Sequence, residues 1–106
     1  MSNVNLNQIE KDVVTLATNS FKDFAKQGIA DGKAFLGQIQ AQLITLAQQR
    51  AQDKISEAEY QDGVSDLKAL AKMEAIKQAG LAQVAIDNFT NGIVDIVTKA
   101  ALAAIP

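Results

Sequence analysis

The chain has 106 residues, a net charge of -2 and a sequence pI of about 4.9, with 48% hydrophobic and 21% charged residues. That balance is too apolar for a disordered polymer, and with both signs of charge interspersed it offers no basic face for nucleic acid. Histidine and cysteine are both absent, which excludes a histidine-based triad, the usual zinc centres and all thiol or disulfide chemistry.

A single proline, Pro106, and 5% aromatic residues leave helix favoured almost everywhere, so the fold class is all-α. The first helix is predicted to start after Asn5, which can act as N-cap. Gln8 stands where a capping box needs it, and Val4 with Ile9 occupies the positions of a hydrophobic staple. The preceding Met1-to-Asn7 stretch lacks the basic and apolar regions of a secretory leader.

From there to Gln52 no proline intervenes, and apolar residues recur every eleven. Val13, Phe24, Phe35 and Leu46 form one line; Val14, Ala25, Leu36 and Ala47 form a second. Ala17, Gly28 and Ile39, then Phe21, Gly32 and Leu43, complete the face. Eleven residues over three turns is close to a relaxed helix, so the spacing predicts one nearly straight helix over 6–52. The alternative is a break at Gly28 to Gly32, with Gly28 ending one helix and Asp31 capping the next.

The chain is expected to reverse about residues 53–55. Ser56 followed by Glu59 is a capping-box pair, flanked by Ile55 and Tyr60 as a staple. A second helix is predicted over 57–104, its stripe carried by Tyr60, Ala71, Ala82 and Ile93; by Val64, Ala75, Ile86 and Val97; and by Leu67, Gln78, Phe89 and Ala100. Gln78 is its one polar member. Two such helices side by side make a single antiparallel hairpin domain over 1–106, a rod on the order of 70 Å long.

A lone hairpin cannot bury stripes this wide, and the surplus is greatest where the two termini meet. That predicts a homodimeric four-helix bundle with an interface of Leu6, Ile9, Val13, Leu16, Phe89, Ile93, Ile96 and Val97. A protein partner at the same end is a second expectation. A lipid or storage-granule surface, coated reversibly by the opened helices, is the alternative.

The carboxylates read as surface and capping groups. Asp62 and Asp66 share a helix face near Lys68 and Lys72, Asp12 and Asp23 flank the first stripe, and Glu57 with Glu59 complements a helix N-terminus. No phosphate loop, metal cluster or activated nucleophile is present in the pattern, so neither an enzyme nor a cofactor is expected. The most apolar stretch, Ile93 to Ile105, is too short to span a membrane and contains Asp95 and Lys99. The expected setting is cytoplasmic.

In composition and eleven-residue period the chain resembles granule-coating phasins and exchangeable apolipoproteins, a likeness that carries no motif. In size it is similar to the small secreted hairpins with a Trp-x-Gly turn. It has no tryptophan, and its turn is Lys54-Ile55-Ser56-Glu57.

Overall fold

The computed structural model describes residues 4–105. Met1 to Asn3, part of the stretch assessed for a leader, and Pro106 lie outside them. Among the described residues the fold is all-α, with no strand, and has five α-helices and one 3-10 turn: α1 (Leu6–Phe21), the turn Lys22–Phe24, α2 (Ala25–Ala51), α3 (Glu57–Lys68), α4 (Glu74–Gln78) and α5 (Gln83–Ala103).

Residues 6–51 are helical segment by segment, yet the axis reverses at Lys22, where α1 gives way to the 3-10 turn and then α2. That residue takes φ 43° and ψ -96°, outside the helical region, and its N–H closes α1 on the Thr18 carbonyl. Lys33 of α2 then meets Glu10 of α1 at 3.2 Å. In a straight helix those residues would stand about 35 Å apart. The single helix over 6–52 is therefore corrected to an α1–α2 hairpin. The alternative break at Gly28 to Gly32 is corrected as well, because both glycines lie inside α2.

Packing explains why the glycines are there. A Cβ on Gly28 would fall 2.5 Å from the Phe21 ring, and one on Gly32 would fall 2.8 Å from Phe89 and 3.0 Å from Val13. Their bare backbones let α1 and α5 sit close against α2. Phe21 and Phe89 meet edge to face, with centroids 4.9 Å apart, a geometry that aromatic pairs prefer.

The second predicted helix, 57–104, is corrected to three. Met73 adopts left-handed geometry at φ 50°, and Gly80 takes φ 89°, so the chain turns at each. The stripe loses its phase there: Gln78 and Ala82, both on predicted apolar lines, are exposed. Met73 instead turns its side chain into the core, at 3% exposure. The N-terminus of α4 has no cap of its own. Asp31 of α2 supplies one, its carboxylate accepting from the amides of Ile76 at 2.8 Å and Ala75 at 3.3 Å.

Both capping sites read from sequence are formed. Asn5 Oδ1 accepts from the Gln8 amide at 3.0 Å, although the Gln8 side chain turns to Asp12 and leaves the box half made. At Ser56 the box is complete: the Glu59 amide donates to Ser56 Oγ, and the Ser56 amide donates to Glu59 Oε1.

The helix α2 is the spine, and every other helix packs on it. Helix α1 runs antiparallel along its first half, and α3 antiparallel along its second, where Leu46 covers Gly63. Helix α5 lies in the trough between α1 and α2, with Phe89 beside Gly32 at one end and Leu102 beside Ala47 and Arg50 at the other. The molecule measures 41 × 26 × 17 Å. Its long axis is the length of α2, and the expected 70 Å rod is not formed.

Candidate functional site at the termini end

The eight residues expected at a dimer interface fall into two groups. Ile9, Val13, Phe89, Ile93 and Val97 are buried within the single chain, while Leu16 and Ile96 are half-buried and Leu6 is 50% exposed. The hairpin between α1 and α2 supplies the third and fourth faces that a two-helix rod lacks. Each fully buried aliphatic or aromatic side chain contributes roughly 2 kcal/mol, so intramolecular closure uses most of the apolar surplus from which dimerisation was reasoned. What remains exposed at this end is Leu6, and Leu102 at 46%.

Two recesses flank the last turns of α5. One, about 410 Å³, lies between α5 and α1 and is lined by Asn5, Ile9 and Asp12 on one wall and by Ile96, Lys99 and Ala100 on the other. The second, about 400 Å³, opens between α5, the end of α2 and the start of α3, with Arg50, Glu57, Tyr60, Thr98 and Leu102 around it. Sequence reasoning gave Tyr60 a staple role and a place on the apolar stripe of the second helix, and did not single out Arg50 or Thr98. Their association depends on a turn that brings residue 50 against residue 57 and on a helix arriving more than forty positions later.

The second recess has a built polar wall. Arg50 donates from Nε to Glu57 Oε2 at 2.9 Å and from Nη1 to Asp53 Oδ1 at 3.2 Å. Glu57 also accepts from the Gln61 amide group at 2.8 Å. The Gln61 bond, then the Arg50 guanidinium, hold the Glu57 carboxyl below its ordinary range, and the bond to Glu57 raises Arg50. The guanidinium is thus fixed in orientation at a solvent-facing rim. Thr98 Oγ1, by contrast, is buried and has no hydrogen-bond partner among the described residues. Threonine in a helix ordinarily bonds the carbonyl four residues back, as Thr90 does to Ile86 at 3.0 Å.

No group of three or more Asp or Glu among the described residues is arranged to hold a metal ion. No helix among them is long and apolar enough to cross a membrane. A third recess, about 500 Å³ and mostly apolar, lies on the outer seam of α2 and α3 around Leu46, Gly63 and Leu67.

Fold and site together define an all-α bundle with a mixed polar and apolar end, where arginine, tyrosine and leucine surround a hollow. Comparison with protein-family models, with curated proteins and with solved structures gave no match.

Proposed function

We propose that the protein is a non-catalytic interaction module whose termini end docks a protein partner. The observation that carries this reading is the recess beside α5, where an oriented guanidinium, a tyrosine and an exposed leucine surround a hollow of about 400 Å³. Arginine and tyrosine are the residue types most enriched where interfaces concentrate their binding energy, especially around a pocket that an inserted side chain can fill.

The test is site-specific photocrosslinking in the producing cell. A benzophenone residue replaces Leu102 in one strain and Val84 in another; Val84 is 67% exposed and lies at the opposite end of α5. A discrete protein adduct from position 102, with none from 84, supports docking at this end. Equal labelling from both positions, or none from 102, removes the assignment. An adduct of twice the chain mass from 102 would make the partner a second copy.

A further inference from the structure

The strained reversal at Lys22 lies at the other end of the molecule, and its argument is independent of the docking site. The buried residues of α1 and α2 keep one helical phase through it. Val13 and Phe35, Ala17 and Ile39, and Phe21 with Gly32 and Leu43 are all buried, as the eleven-residue lines require of an unbroken helix. Phe24, on the first of those lines, is left 38% exposed by the break.

The segment Lys22-Asp23-Phe24 contains neither glycine nor proline, so its sequence does not call for a reversal. Its lysine nevertheless takes a positive φ, which L residues disfavour. Met73, where the chain also turns without glycine, takes φ 50° with ψ 41°, the ordinary left-handed region, whereas Lys22 pairs its positive φ with ψ -96°, outside that region. Closing α1 onto α2 thus works against the local preference of the hinge.

The contacts between α1 and α2 are also symmetric about that hinge. Phe21 packs on Gly28, Val13 on Gly32 and Glu10 on Lys33, so each pair is centred within about a residue of the Lys22–Phe24 segment. Two copies with straight 6–51 helices, crossing antiparallel at residues 22–24, would make the same pairs between chains. The two Phe24 side chains would then lie together at the two-fold axis.

We propose that the protein forms a domain-swapped dimer by exchanging α1 about Lys22, its partner being a second copy of this chain. Every closed contact of α1 is recovered from the other copy, the strained turn becomes ordinary helix, and the interface is isologous. Short hinges under strain favour this exchange.

The experiment uses the full chain, which has no native cysteine. Glu10→Cys and Lys33→Cys are made singly, since both side chains are at least half exposed and tolerate replacement. The two variants are refolded together from urea at high concentration, treated with a short bismaleimide and sized by light scattering. The expected result is a two-chain species in which peptide mapping finds residue 10 of one chain joined to residue 33 of the other. Lys22→Gly relieves the closed form and weakens the continuous helix at both hinges. It raises the dimer dissociation constant on the order of a hundredfold, whereas Gly37→Ala, away from the hinge, does not. A single-chain mass at every concentration, a dimer without the 10-to-33 link, or a dimer indifferent to Lys22→Gly would each overturn the exchange.

Discussion

Gly28 and Gly37 stand on the same helix with opposite surroundings. A methyl group at Gly28 meets Phe21, which is itself locked edge to face on Phe89, whereas nothing lies within 4 Å of one at Gly37. Gly28→Ala is therefore expected to destabilise by about 1–3 kcal/mol through overpacking. Gly37→Ala should stabilise by up to about 1 kcal/mol through helix propensity. Urea unfolding of the two variants checks both signs. Glu59 gives the pH dependence at this scale. Its carboxylate accepts from the Ser56 amide, and that bond, with the Ser56 hydroxyl behind it, holds its folded-state pKa below the ordinary 4.5. A lowered carboxylate pKa contributes stability above the unfolded value and loses it as pH falls through the folded value. The midpoint difference between the parent chain and Glu59→Gln should be full at neutral pH and shrink once the pH drops below about 4.

At the scale of elements, α3 and α4 start by opposite means. Helix α3 carries its own box at Ser56 and Glu59, three residues apart, so its first turn was legible in the sequence. Ser56→Ala should cost about 1 kcal/mol. Helix α4 is five residues long and relies on Asp31, 44 and 45 positions away, to satisfy its first amides. Asp31 is a capping residue, as one sequence alternative had it, but for a different helix. Asp31→Ala should cost about 1–2 kcal/mol, and hydrogen exchange should show the Ala75 and Ile76 amides losing protection while those of α3 keep theirs. A variant in which the Ala75 and Ile76 amides stay protected would mean that Asp31 does not cap α4.

For the whole molecule, shape separates the bundle from the extended hairpin. The Cα radius of gyration is 13.9 Å, near the roughly 13 Å of an ordinary globular chain this long. A rod on the order of 70 Å would have a value of about 20 Å. Small-angle scattering of dilute protein at single-chain mass should return a value close to the smaller figure, and one near 20 Å at that mass would restore the rod. The same closure explains the interface residues. Ile9, Val13, Phe89, Ile93 and Val97, expected at an interface between chains, are buried where α1, α2 and α5 cover one another within a single chain.

The sequence by itself determined the helical class, the caps at Asn5 and Ser56, the turn before residue 57 and the face that each long helix buries. Those features rest on contacts between residues at most a few positions apart, or on a period that persists along one helix. The tertiary structure alone decided the reversals at Lys22 and Met73. At Lys22 the burial of Ile9, Val13, Ala17 and Phe21 against α2 and α5 outweighs a disfavoured φ that no local residue requests. At Met73 the burial of its side chain and the Asp31 cap do the same against an unbroken second stripe. The recess of Arg50, Tyr60 and Thr98 follows from those reversals, because only the closed bundle brings the end of α5 against the junction of α2 and α3.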